Sequence, residues 1–262
     1  MLTVSRLFIY PIKSCAGVEV SSLSFDQCGP VGDRRFMVVN LEGRFLTQRT
    51  HPAMAFIRPQ YVDGHLLVSA SDRPQLTISP EDAGEVLTVS VWDDSVAGAD
   101  CGDTAAAWFS AALNTPCRLV RVFAGTERQV NRKYAQEGEW VGFADGYPVL
   151  VTLQESLDVL SSAVGRTVEI ERFRPNVLLS GARAFAEREW QSVSVAGGRL
   201  DLCKPCERCV IPTRNLTTQQ READVLDALK QHCRLDGKII FGQNALVRGI
   251  GELVVGQSAV SE

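Results

Sequence analysis

Short runs of β-branched and apolar residues, punctuated by glycine and proline, set the pattern of this chain. Leu7-Phe8-Ile9-Tyr10 and Phe36-Met37-Val38-Val39 read as strands, separated by loops at Gly29, Pro30 and Gly32. Phe56 to Val62, then Asp63-Gly64, then His65 to Ser69 predicts a hairpin, because Asp-Gly readily takes the two positive φ angles of a tight primed turn. Val86 to Trp92 is strand-like again. Asp103 or Thr104 supplies a capping oxygen for a helix reaching Leu113, with Trp108, Phe109, Ala112 and Leu113 inward and Pro116 after its end.

The second half repeats the alternation. Leu119 to Phe123 predicts a strand, and the polar residues 125–138 predict an exposed loop. Thr152-Leu153-Gln154-Glu155 has the form of a capping box, and Leu153, Leu157, Leu160 and Val164 then share one helical face until Gly165. Strands follow at Val177 to Leu179 and Leu200 to Leu202. Thr217 with Gln220 opens a second box, whose helix turns Val225, Leu226, Leu229 and Cys233 inward. Ile239 to Phe241, Ala245 to Val247 and Leu253 to Val255 read as closing strands. Many short strands with few helices predict a β-rich α+β fold closed as a barrel.

Composition narrows the function. The 262 residues are 45% hydrophobic, enough for a substantial core, and the net charge of −4 gives no global footprint for nucleic acid or an anionic membrane. The apolar run Leu7 to Ile12 is cut by Pro11 and Lys13, too short for a signal peptide or a membrane span, so a cytoplasmic protein is expected. Eight cysteines in a chain this long do not make a disulfide scaffold.

Three of those cysteines, Cys203, Cys206 and Cys209, recur at three-residue intervals among Lys204, Pro205 and Arg208. The flanking cations favour a thiolate, which is a soft metal ligand. Three chemistries fit the cluster: a reactive or open-site metal thiolate, a structural zinc site completed by a distant residue, and ordinary buried thiols. Cys233 reads as core. His51, His65 and His232 have no spacing suggestive of a metal cluster or a triad, and Gly249-Ile250-Gly251 with Gly256 has the wrong spacing for a dinucleotide fingerprint.

Cys206-Glu207-Arg208-Cys209, Arg172-Phe173-Arg174-Pro175-Asn176, Tyr10-Pro11-Ile12-Lys13-Ser14-Cys15 and Gly32-Asp33-Arg34-Arg35-Phe36 together resemble the MOSC family, the molybdenum cofactor sulfurase C-terminal domain proteins, in its YcbX-like and amidoxime-reducing branch. The resemblance implies a MOSC-type β-barrel domain from residues 1–36 with 124–262, and a smaller inserted α/β subdomain from residues 37–123. It implies a molybdenum cofactor, the molybdenum-bearing molybdopterin, with Cys209 as metal ligand and catalytic residue and Asp145 as a second catalytic pocket residue. Lys13, Ser14 and Arg35 match positions that contact the cofactor's phosphate or pterin. Arg174, whose fork suits phosphate, and Asn176 match further contacts. Gly146-Tyr147 stands where relatives carry small hydroxyl residues, so side-chain contacts there are either lost or replaced by backbone, and 211–215 lacks the acid common after the cysteine motif.

The activity implied is reduction of small N-hydroxylated compounds. Ferredoxin-bearing relatives continue past the barrel, whereas this sequence ends at Glu262 with no plant-type iron-sulfur spacing, so electrons are expected from a separate iron-sulfur, flavin or haem protein. Two other classes stay open: a sulfur carrier in which Cys209 holds a persulfide for metal-sulfur assembly, and a structural zinc protein.

Overall fold

A computed structural model describes residues 1–71, 73–79 and 84–262. The chain forms two compact units, one of 1–8, 19–31 and 147–262, the other of 9–18 and 32–146. The division expected from the resemblance put residues 9–18, 32–36 and 124–146 with the barrel, whereas they cluster here with the second unit.

The first unit is built on a closed sheet. Its strands run in the order Val149–Leu153, Val177–Ser180, Leu2–Ile9, Ser258–Ser261, Ser192–Val195, Gly198–Glu207 and Lys238–Arg248, and the last pairs with the first to complete a seven-strand barrel. All these pairings are antiparallel except Val149–Leu153 with Val177–Ser180, which the helix Gln154–Val164 connects as a parallel pair requires. Two of the strands depart from the sequence reading. The runs around Ile239 and Ala245 are one strand, Lys238–Arg248, and Gly242 inside it takes φ +81. A Cβ there would lie 2.7 Å from the Val151 carbonyl, so glycine lets the strand bend against Val149–Leu153 where a side chain would clash. Ser258–Ser261, whose serines hide its periodicity, was not anticipated and sits beside the first strand.

Neither capping box forms. The Gln154–Val164 helix begins after Leu153 with no side-chain cap, since Thr152 is buried inside the preceding strand; Glu155 instead accepts from the Gly181 amide at 2.7 Å. Its end is as expected, with Gly165 in the left-handed region at φ 75. Thr217 and Thr218 donate backbone N–H groups to Asn215 Oδ1, a turn that precedes the helix Ala223–His232 and does not cap it. Val225, Ala228 and Leu229 form its buried face, and Cys233 beyond it is fully buried.

The second unit holds a four-stranded antiparallel sheet, ordered Phe36–Val39, Arg118–Arg121, Asp94–Asp100, Val86–Val91, and a three-stranded one, Arg58–Val62, His65–Ser69, Leu76–Ile78. The hairpin forms as predicted, with Asp63 at φ 48 and Gly64 at φ 79 between paired Val62 and His65. The helix spans Gly102–Leu113 and begins after Cys101 without a side-chain cap, so neither Asp103 nor Thr104 fills that role. Phe109 and Leu113 enter a core with Met54, Val68 and Leu119. Residues 125–138 are irregular yet not simply exposed, because Thr126, Arg128, Val130 and Ala135 are buried.

Asn176 ties the barrel wall together. Its Oδ1 accepts from the Leu150 amide and its Nδ2 donates to the Phe8 carbonyl, both at 3.2 Å, while its own backbone pairs with the same two residues. The amide bridges the strands on either side of Val177–Ser180. Asn176→Ala leaves buried backbone groups of both strands without these partners, so a loss of about 1–3 kcal/mol is expected in urea unfolding. A variant as stable as the parent would show that the clamp contributes nothing.

Candidate active site

The two N-terminal motifs lie hydrogen-bonded side by side. Tyr10 N–H donates to Asp33 Oδ1 at 2.8 Å, Arg34 N–H to the Tyr10 carbonyl at 2.8 Å, Phe36 N–H to the Pro11 carbonyl at 3.0 Å and Lys13 N–H to the Phe36 carbonyl at 2.8 Å. This brings Lys13, Ser14 and Arg35 onto neighbouring strands of chain. Ser14 takes φ 66 in the turn closed by Cys15 N–H on the Ile12 carbonyl, and its own carbonyl accepts from Gln48 Nε2 at 2.7 Å. Asp33 is held by Arg34 at 2.6 Å, and the Arg34 guanidinium lies 4.2 Å over the Tyr10 ring.

Lys13 is buried and pairs with Asp145 at 2.5 Å, while also donating to the Phe143 carbonyl at 2.8 Å. Burial pushes the Lys13 pKa down and the Asp145 charge opposes it. For Asp145, desolvation of the engaged oxygen works upward, but the Lys13 charge and hydrogen bond, followed by Trp92, outweigh it and hold the carboxyl well below the usual range. Asp145 is therefore a carboxylate with no proton to give while this pair is made. Trp92, at φ 57 in the turn between Val86–Val91 and Asp94–Asp100, donates Nε1–H to Asp145 at 3.1 Å and carries Arg49 over its ring at 4.6 Å. Gly146 follows with open space at its Cβ position.

Sequence reasoning missed Arg128. Its side chain pairs with Asp94 at 2.7 Å and donates to the carbonyls of Gly142, Ala144 and Asp145 at 3.1, 2.5 and 3.1 Å. The surrounding polar residues masked it, since nothing local distinguishes a buried guanidinium from a solvated one.

The other predicted residues belong to the barrel unit. Cys203 and Cys206 lie on the Gly198–Glu207 strand at the two places where its register with Lys238–Arg248 shifts, and Cys209 follows in the loop. Such irregularities re-aim side chains next to functional sites. Cys203 is half-buried, with its Sγ 3.4 Å from the Asn244 carbonyl, and burial pushes its thiol up to about 11. Burial likewise raises Cys233 to about 12. Cys209 is the exposed thiol among the eight.

Arg208 joins the cysteine loop to the arginine motif. Its Nη1 donates to Cys206 Sγ at 3.0 Å and its Nη2 to the Phe173 carbonyl at 2.6 Å, and its backbone N–H reaches the Ile239 carbonyl at 2.8 Å. Phe173, under the guanidinium, stacks on Phe241 with centroids 4.1 Å apart. Next to it Arg174 takes φ 58, a left-handed conformation that is costly for a residue with a β-carbon and that its flanking contacts maintain. Lys204 Nζ lies 5.9 Å from the Tyr147 ring centroid. Asn176 spends one bond at each end of its amide on the barrel wall, which gives it a framework role. Among the described residues no group of three or more His, Cys, Asp or Glu is placed to hold a metal, so a closed four-ligand zinc site has no donor set there.

The chain belongs to the MOSC family, as matches over nearly its whole length show. The MOSC N-terminal beta barrel domain matches residues 1–116 and the MOSC domain matches residues 138–260. Mitochondrial amidoxime-reducing component 1 of Mus musculus is 32% identical over 97% of this chain and 80% of that protein. Mitochondrial amidoxime reducing component 2 of Homo sapiens is 29% identical over 97% of this chain and 82% of its own length. Molybdenum cofactor sulfurase of Bos taurus is 27% identical over 91% of this chain, which corresponds to 29% of that larger protein. Among the described residues no helix is long and apolar enough to cross a membrane.

The thiols should separate by reactivity. At pH 8 a thiol with pKa about 11 is roughly one part in a thousand ionised, so iodoacetamide is expected to label Cys209 well before Cys203 or Cys233. Peptide mass spectrometry at timed quenches reads the order. Cys203 reacting as fast as Cys209 would contradict this description of the strand.

Proposed function

We propose that this chain is a molybdenum-cofactor enzyme that reduces N-hydroxylated compounds with electrons supplied by a separate protein. The observation carrying this reading is the exposed Cys209 thiol, held beside Arg208, which ties its loop to the Arg172–Asn176 segment. Within the barrel unit the donors suit the group, with Cys209 as an accessible soft ligand and Arg174 as a cation for phosphate; in the other unit Lys13 and Arg35 are cations of the same phosphate-binding kind. When bound, the cofactor supplies the two-electron chemistry that cleaves an N–O bond and releases water.

The residues of the chain then have distinct tasks. Cys209 would hold the metal as a thiolate. Arg174 offers its planar fork to phosphate. Arg208 keeps the ligand loop in register with the arginine motif. Asp145, ionised beside Lys13, acts on the site through its charge, and protons consumed in the reduction come from elsewhere. Electrons arrive in this reading from a separate iron-sulfur, flavin or haem protein. A cytoplasmic location accompanies this reading. The accessible thiol also supports a second one, in which Cys209 carries a persulfide for metal-sulfur assembly.

Metal and pterin analysis of protein from a molybdenum-replete host tests the first reading against the second, which predicts a persulfide mass on Cys209 and no molybdenum. Cys209→Ser is expected to lose reductase activity and most of its molybdenum with the fold intact, since serine is a harder donor, whereas Cys206→Ser is milder. Full activity and metal in Cys209→Ser would refute the ligand assignment. Arg174→Ala should weaken cofactor retention by about 1.5–3 kcal/mol, with Arg174→Lys a partial rescue. Equal pterin released from parent and variant would remove Arg174 from the site.

The electron route has its own test. With NADH alone the purified chain is expected to be inactive on an amidoxime, and a chemical one-electron donor restores turnover. Substantial NADH-driven turnover by the chain alone would reveal a redox site within it.

A further inference from the structure

Lys13 is 6% exposed, and its ammonium group has three N–H donors and no acceptor. The Phe143 carbonyl takes one donor at 2.8 Å, Asp145 Oδ1 takes another at 2.5 Å, and the Phe45 ring centroid lies 5.1 Å from Nζ. Every side of the ammonium already has a polar or aromatic counterpart. A phosphate oxygen therefore reaches this lysine only if something leaves.

The backbone below cannot give way easily. Arg128, with a side chain 4% exposed, donates to the carbonyls of Gly142, Ala144 and Asp145, so successive residues of this segment are fixed by buried cations. The Asp145 side chain is different. It is 75% exposed, and beyond Lys13 it accepts from the Trp92 indole N–H at 3.1 Å. A rotation about its side-chain bonds returns the carboxylate to water, where a carboxylate is well solvated, and needs no movement of the chain.

We infer that Asp145 is the resident anion of an exchangeable anion site, occupying Lys13 until a phosphate-type dianion displaces its carboxylate, with Trp92 losing its acceptor in the exchange. The inference rests on Lys13 as a phosphate cation in the proposed function. A dianion outcompetes the carboxylate because it brings more charge and more acceptor oxygens to the same buried ammonium. The resident carboxylate keeps the lysine charged and hydrogen-bonded in the meantime, which an isolated buried ammonium would not be. Exchange also discriminates, since a simple monocarboxylate gains nothing over the one already in place.

Inorganic phosphate titrated into the full chain, free of cofactor, tests this by calorimetry and by tryptophan emission. Asp145→Asn should bind phosphate about tenfold more tightly than the parent, because the competing charge is gone. Asp145→Glu should return binding to the parental level. Trp92→Phe should lose the emission change that phosphate produces, and acetate at equal ionic strength should produce none. Phosphate affinity that is unchanged or weaker in Asp145→Asn overturns the exchange, and if Lys13→Gln abolishes binding at the same time, the lysine's assignment survives. Parental affinity in Lys13→Gln instead overturns that assignment, and the exchange with it.

Discussion

Closing a sheet on itself leaves no unpaired edge, and the barrel of this chain closes only because Val149–Leu153 can pair with Val177–Ser180 on one side and Lys238–Arg248 on the other. Three features permit it. Gly242 bends the long strand at the contact, the helix Gln154–Val164 returns the chain for a parallel neighbour, and Asn176 bridges across the strand between Leu2–Ile9 and Val149–Leu153. The cysteine-bearing strand lies on the other side of Lys238–Arg248, and its register shifts fall at Cys203 and Cys206. The irregular geometry needed to present a thiol is thus carried by a strand whose two neighbours are fixed by closure.

Buried guanidinium and ammonium groups do the corresponding work in the second unit. Lys13 and Arg128 hold successive carbonyls of Phe143, Ala144 and Asp145, and the carboxylates that balance them, Asp145 and Asp94, remain open to solvent. Each cation is satisfied by backbone acceptors as well as by its acid, which is the condition under which a buried charge is tolerated. The arrangement leaves the side chain of Asp145 as the adaptable part of an otherwise pinned segment.

The amidoxime-reducing relatives align with nearly the whole chain, and the sulfurase shares a similar stretch within a much longer protein, so one scaffold serves proteins named for different chemistry. What this chain contributes is an accessible cysteine, an arginine in a left-handed turn, and Arg208 linking them.

Much of this was legible in the sequence. Alternating apolar runs gave the β-rich barrel class, Asp63-Gly64 gave its hairpin and Gly165 gave a helix end, because each depends on local backbone preference or local residue spacing, and four motifs carried the resemblance to the MOSC family. Other features depended on long-range partners. Thr152 became buried strand and not a cap, Gly242 bent a strand and did not end it, Ser258–Ser261 paired without hydrophobic periodicity, and Arg128 found carbonyl partners inside a stretch that reads as an exposed loop. The tertiary structure also decided that Asn176 braces the barrel and that Asp145 occupies Lys13. Hydrogen-bond partners distant in sequence fix these roles, and spacing along the chain does not encode which carbonyl or carboxylate will meet a buried donor.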